Sequence, residues 1–436
     1  MSRTRTLDLR PPRLRGETAR SVVGNVGARV IALVSVAVVT ALVARSGGAD
    51  DVGLLALMRV LPGLLGVVAA CGLPGAMGYF VAGPDAGHPQ LWPTVLVVMA
   101  VGGLAGVVAW LALAPVLHAH LMSTTSLQVV VATGATVATQ LPVAVGKSSL
   151  QALGDARGSN VVTAAEEAAF VPAMILLWVG GLRGGWLLVG SLLIADVAVA
   201  AYAWARIRRR VHEQGGVLGG RPDPGLGRRM VGFGLRSQVG GILNLLNLRL
   251  DVVILGALAG PGPVGVYVVA SKYAELLRLP GLALTWVTYP GYARQSSSPT
   301  GLAARPGLPA LPRPPRLPRL IGLGVLAAVL VAGSAAFVLP FVYGEEFRSA
   351  VWPAAWIALG LSFQPAAGIA SGFLLGAGRP GLNSLILGAG FGITLVLDLL
   401  LIPRHSSLGA AWASAAAYAA TDLLLVSAWR RTRGRT

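Results

Sequence analysis

Residues 21–59 read SVVGNVGARVIALVSVAVVTALVARSGGADDVGLLALMR. From Ser21 to Ala44 this is an apolar helix long enough to cross a bilayer, whose hydrocarbon core takes about 20 helical residues. Ser21, Asn25, Arg29 and Ser35 share one face of that helix at helical spacing. A turn is expected over Arg45 to Asp51, and a second apolar helix then returns with Arg59 inside it. A guanidinium at membrane depth costs roughly 2.5–3.5 kcal/mol unless it meets water, a partner or a ligand. No acid lies between residues 18 and 49. Two such cations on the first two spans point to a cavity made for something negative.

The whole chain agrees with a membrane reading. Hydrophobic residues make up 55% of its 436 and charged residues 12%, where soluble domains hold about 25% charged. The single cysteine, Cys71, sits in an apolar run and cannot form an intrachain disulfide, and no Cys or His spacing suits a metal. The first apolar run, about 25 residues, is too long for a signal-peptide core and is expected to stay as the first span. Arginine outnumbers lysine 33 to 2.

Twelve spans are expected, over 19–44, 52–82, 91–117, 126–152, 159–180, 184–205, 228–258, 264–293, 319–343, 350–377, 380–402 and 407–429. With the N-terminus inside, 24 of the 35 Lys and Arg residues fall on the cytoplasmic side, four outside and seven within spans. The positive-inside rule then places both termini in the cytoplasm. The net charge of +18 is thereby a topology signal that calls for no nucleic-acid partner, with attraction to anionic membrane lipid as a secondary effect.

The two six-span halves resemble each other. Val52-Gly53 opens span 2 as Val264-Gly265 opens span 8, and Leu153-Gly154 with Arg157 closes span 4 as Leu375-Gly376 with Arg379 closes span 10. Trp186 and Asp196 of span 6 recur as Trp412 and Asp422 of span 12. An even number of spans per repeat puts the pseudo-twofold axis along the membrane normal, with a substrate site between halves. The expected fold is therefore an all-α integral membrane protein of two pseudo-symmetric six-helix bundles. Its parts are a basic tail (1–18), the first bundle (19–205), a basic connector (206–227), the second bundle (228–429) and a basic C-terminal tail (430–436). The second bundle carries a Pro/Arg-rich cytoplasmic loop over 295–319, read as a linker.

The ionisable residues inside the spans are the candidates for chemistry. At 1.5 Å per residue, Arg29 falls near mid-membrane. Arg59 and Lys272 lie at nearly equivalent depths in the two halves, as a two-sided cationic cavity requires; snorkelling toward the interface is the competing explanation. Span 7 is the most polar helix, with Ser237, Asn244 and Asp251 seven residues apart and Asn247 beside them. Arg249 points about 200° from Asp251 at 100° per residue, so one of the two serves a groove while the other packs. Lys272, Glu275 and Arg278 stand at i, i+3, i+6 and can form an ion-pair ladder. Lys147 on span 4 can pair with Glu166 or Glu167 on span 5. Asp196 and Asp422 have no cation nearby in their own spans, leaving structural hydrogen bonding or ion coupling. Gly146-Lys147-Ser148 lacks the glycine spacing of a phosphate-cradling loop, so no cofactor and no ATP hydrolysis is expected. The reading is a transporter, not an enzyme.

Particular segments resemble a known family. Ala44-Arg45 followed by Asp51-Val52-Gly53 is similar to the turn after span 1 of bacterial polysaccharide flippases, within the multidrug/oligosaccharidyl-lipid/polysaccharide exporter superfamily. Leu250 to Gly256, then Val264-Gly265-Val266-Tyr267 and Ala270, resembles that family's span 7–8 segment, and Leu153-Gly154 with Arg157 its span 4–5 turn. The resemblance implies flipping of a polyprenyl-pyrophosphate-linked glycan across the bacterial cytoplasmic membrane by alternating access. It also implies glycan-assembly enzymes as candidate partners. Arg29, Arg59 and Arg249 would hold the pyrophosphate through paired, charge-assisted hydrogen bonds, with Lys272, Asn25, Asn244 and Asn247 around them. Asp251, Glu275, Glu166, Glu167, Asp196, Asp422 and Lys147 are left for ion coupling or structural pairing. Twelve spans instead of the family's common fourteen, and the Pro/Arg-rich loop, are departures. The rival readings are a drug or cation antiporter of the same superfamily, which would want acids in the first bundle, and a major-facilitator-type carrier. A glycan polymerase would need a large outer loop, and a scaffold would have no use for so many intramembrane cations.

Overall fold

The computed structural model describes residues 14–83, 85, 87–278, 317–376 and 379–433. Helices make up nearly all of this. The first half of the chain holds α1 (Leu14–Ala69), α2 (Leu73–Ala82), α3 (Leu91–His120), α4 (Leu127–Thr133), α5 (Ala135–Ala152), α6 (Ala156–Ala168), α7 (Phe170–Val179) and α8 (Gly184–Glu213). The second half holds α9 (Pro224–Ala259), α10 (Pro261–Ala274), α11 (Leu317–Tyr343), α12 (Val351–Gly360), α13 (Gln364–Gly376) and α14 (Pro380–Arg433).

Among the described residues eight stretches are long and apolar enough to cross a membrane, and two of them, of 43 and 52 residues, are twice the length one crossing needs. Each of those two is broken once. In α1 the break is Gly48, at φ 69°; in α14 it is Ser406, at φ 52°. The expected turn over Arg45 to Asp51 is thus compressed onto one residue, because glycine enters the positive-φ region without a Cβ penalty. The chain is an all-helical, multi-pass membrane protein. Large apolar side chains on its outside, such as Leu104 at 67% and Phe337 at 71% exposure, are what hydrocarbon tolerates, while helices satisfy their own backbone.

Several spans are built from two pieces. Span 2 breaks at Cys71 and Gly72, both at positive φ, before Pro74 restarts the helix in its first turn. The expected connector 206–227 is irregular only over 214–223, since α8 continues to Glu213 and α9 starts at Pro224. Span 8 is described as far as Arg278. Its remainder to 293, residues 295–316 of the Pro/Arg-rich loop, 1–13 and 434–436 lie outside the described residues.

The two halves touch at both ends of span 2. Near its start, a Cβ built on Gly53 would collide with the backbone of Pro261 and Gly265, and one on Gly265 with that of Ala49 and Gly53. Near its far end, Gly72 and Gly234 meet backbone to backbone in the same way. Tyr79 stacks on Phe233 beside that second crossing, with ring centroids 4.7 Å apart. Gln238 donates to the carbonyl of Val67 at 3.1 Å. The crossings are about 28 Å apart along the helix at 1.5 Å per residue. An apolar core continuous between the halves surrounds the Gly53 crossing, where Val52, Leu57, Val264 and Tyr267 pack together.

Candidate functional site

Between the two crossings lies a cavity of about 390 Å³, within the range of small-molecule sites. One face of the second segment of α1 supplies Val52, Ala56, Arg59, Gly63, Gly66 and Ala70, the three-to-four spacing of a single helical stripe. Its small residues leave the room and Arg59 supplies the charge. From the other half, α9 contributes Gln238, Leu245, Arg249 and Val252, and α10 contributes Val268 and Lys272, again at helical intervals. Arg59, Arg249 and Lys272 thus converge on one space from both halves.

The same cavity is lined by Glu166, Glu167 and Asp196. Against the sequence expectation of a cationic cavity with Glu166, Glu167 and Asp196 left for pairing or ion coupling, three cations face this space together with those three acids. Most of those acids are answered locally. Arg59 donates to Glu167 at 2.6 Å, with side chains 25% and 29% exposed. The Arg59 guanidinium also lies over the Phe170 ring, 5.2 Å from its centroid. Lys147 donates to Glu166 at 2.6 Å. Thr139 donates to Asp196 at 2.9 Å. On the opposite wall Lys272 and Arg278 share one carboxylate, Glu275, at 3.2 and 3.7 Å. Arg249 has no hydrogen-bond or ion-pair partner among the described residues.

Other candidates lie elsewhere. Arg29 is exposed on α1 and donates to Asn25 at 3.1 Å; neither residue lines the cavity. Asn244 and Asn247 belong to α9, and their side chains lie outside the described residues. Arg249 and Asp251 divide as their angular separation requires, Arg249 toward the cavity and Asp251 into the packing of the second half.

That packing holds a second polar group of residues. Asp251 accepts hydrogen bonds from the Tyr267 hydroxyl and, at 2.8 Å, from the amide of Val252. Tyr267 Oη lies 2.8 Å from Ser414 Oγ. Asp422 accepts from Gln364 at 3.3 Å, and its other oxygen has no partner among the described residues. Asp398 is fully buried, with neither carboxylate oxygen partnered among them. Asp398 and Gln238 were not singled out from sequence. Asp398 carried the signal that marked Asp196 and Asp422, an acid inside an apolar run (LVLDLLL, residues 395–401).

The polysaccharide biosynthesis protein family matches residues 18–294. No curated protein matches the chain. Among solved structures, an inward closed conformation of the lipid II flippase MurJ aligns with TM-score 0.70 and 11% identity, covering 94% of this chain and 87% of that one. A multidrug resistance transporter of the MATE family in its inward-facing conformation aligns at 0.67 and 14% identity, covering 94% of each chain. An outward-facing conformation of such a transporter aligns at 0.62 and 14% identity, covering 97% of each. At these identities the likeness shows a shared fold.

Proposed function

The chain belongs to the polysaccharide biosynthesis protein family, and from that membership we propose that it flips a polyprenyl-pyrophosphate-linked oligosaccharide or polysaccharide precursor across the bacterial plasma membrane. The observation that carries this reading is the convergence of Arg59, Arg249 and Lys272 from both halves on one cavity between the two glycine crossings. Guanidinium forks bind phosphate oxygens in pairs, and a lysine adds a point charge. The cavity suits a pyrophosphate and the first sugar, with the prenyl chain and the rest of the glycan outside. Alternating opening at the Gly53 and Gly72 crossings would expose the head to one face and then the other. Both termini sit in the cytoplasm in this scheme, and Arg29 and Asn25 would meet the head at the mouth. Ion coupling is assigned to Asp251, Asp398 and Asp422, buried acids apart from the cargo cavity.

The rival reading, a multidrug antiporter, gains from the acids in the cavity and from the fold shared with multidrug transporters. The pairing of these charges supports an anionic cargo instead. Glu166 and Glu167 are neutralised by Lys147 and Arg59, and two cations share Glu275. Taken with these pairs the charges around the cavity sum to a net positive balance, since Arg249 and the Lys272–Arg278 surplus outweigh Asp196, and an anion can still reach Arg59 by displacing Glu167.

The test is binding of a fluorescent polyprenyl pyrophosphate to the purified chain in nanodiscs, beside surface glycan in cells. Arg59→Ala and Arg249→Ala should each weaken binding at least tenfold and abolish surface glycan with the protein still in the membrane. Arg29→Ala should lower export too. Undiminished binding and export in all three variants rejects the reading.

A further inference from the structure

The Arg59–Glu167 pair differs from its neighbour in where it stands. In the Lys147–Glu166 pair only the glutamate reaches the cavity; in the Arg59–Glu167 pair both partners line it. Each is about a quarter exposed, so water and solutes reach the contact and the partners can exchange without stranding a charge in a dry interior. Phe170, itself fully buried, supports the guanidinium through its ring face. Arg59 would therefore hold its position if the carboxylate left. Glu167 lies in the last turn of α6, beside the break before α7.

We infer that Glu167 is a specificity-determining residue: a resident carboxylate that occupies Arg59 in the empty cavity and yields only to a ligand carrying a diphosphate. This rests on the pyrophosphate reading above. A carboxylate offers Arg59 a single negative charge. A pyrophosphate brings more charge and a second phosphate that can engage Arg249 or Lys272 at the same time, so it wins the exchange. A single phosphate reaches Arg59 alone and gains little over the partner it must displace. Glu167 thereby keeps inorganic phosphate and monophosphates out of a cavity that would otherwise take them. It also weakens the grip on cargo enough for release at the far side.

Titration calorimetry of the full-length purified chain with inorganic phosphate and inorganic pyrophosphate, at fixed ionic strength, tests this. Wild type should bind pyrophosphate well above phosphate. Glu167→Gln should tighten phosphate by about tenfold and narrow the preference. Glu167→Asp, one methylene shorter, should shift both in the same direction by about threefold, and it carries the test if the glutamine variant fails to fold. In an Arg59→Ala background Glu167→Gln should add nothing, an outcome that a merely structural glutamate would not produce. If wild type and Arg59→Ala behave as expected and Glu167→Gln leaves phosphate affinity unchanged or lowers it, this inference falls and the pyrophosphate reading stands. If wild type does not bind pyrophosphate, both fall.

Discussion

Gly53 and Gly265 face each other across the interface of the two halves, 212 residues apart in the chain. A Cβ on Gly53 would lie 2.9 Å from the amide nitrogen of Gly265, and one on Gly265 3.0 Å from that of Gly53. In the sequence, Val52-Gly53 and Val264-Gly265 are also the matched openings of spans 2 and 8. Backbone meets backbone there because neither residue has a side chain.

Replacing either glycine tests whether that contact closes the cavity. Gly53→Val and Gly265→Val put carbons where backbone already stands, and overpacking of this kind costs about 1–3 kcal/mol when the backbone must shift. The expected outcome is a lower thermal midpoint of the detergent-solubilised protein. In a Cys71→Ser background, a cysteine placed at Ala56 should also react faster with a water-soluble maleimide. Unchanged midpoint and labelling would mean that the crossing is loose.

At the other crossing the two halves meet through an aromatic stack. Tyr79 and Phe233 stack with ring centroids 4.7 Å apart, so cysteines in their places should be bridged by a short bifunctional methanethiosulfonate once Cys71 is replaced by serine. Cross-linking should stop export, and reductant should restore it. Transport continuing at full rate in the cross-linked protein would show that this end does not open during the cycle.

Asp155 gives a pH-dependent prediction away from the membrane spans. It caps α6 by accepting from the Gly158 amide at 2.9 Å and binds the Arg206 guanidinium, with Arg210 at 3.6 Å. The Arg206 hydrogen bond, more than any other contact, holds its carboxyl down to about 2 against burial. A lowered carboxylate contributes stability that is complete above its unfolded value near 4 and lost as pH falls through the folded one. Asp155→Ala should thus cost about 2 kcal/mol at neutral pH. The gap from wild type should hold down to pH 4 and close toward pH 2. Thermal midpoints across that range are the measurement, and a gap that persists at pH 2 contradicts the assignment.

Tyr267→Phe removes the hydroxyl that Asp251 and Ser414 share. A buried acceptor deprived of its donor costs about 1–3 kcal/mol, so the midpoint should fall. Because this group lies outside the cargo cavity, polyprenyl-pyrophosphate binding should be unchanged while export drops. A parallel loss of binding would tie Asp251 to the cargo site instead.

The spans were legible because a bilayer accepts so few solutions. About 20 apolar residues, internally hydrogen-bonded, leave a pattern that composition alone reveals. Intramembrane charge was legible for the same reason, as Arg59, Arg249, Lys272 and Asp196 show. Asp398 has the same signature in LVLDLLL. The breaks at Gly48 and Ser406 fall between expected spans, but their compression onto single residues was not legible, since a turn's length depends on how the flanking helices pack.

The sequence by itself determined a membrane-embedded, all-helical protein with cations in its spans, because hydrophobicity and helical period are properties of the chain in order. Only the tertiary structure decided which charges meet. Lys147 took Glu166, Arg59 took Glu167, and Arg29 stood outside the cavity it was expected to line. Each side chain's direction follows from its helix's rotation about its own axis and the depth at which that helix packs. Neighbouring helices set both, through close approaches such as Gly53 to Gly265 and Gly72 to Gly234.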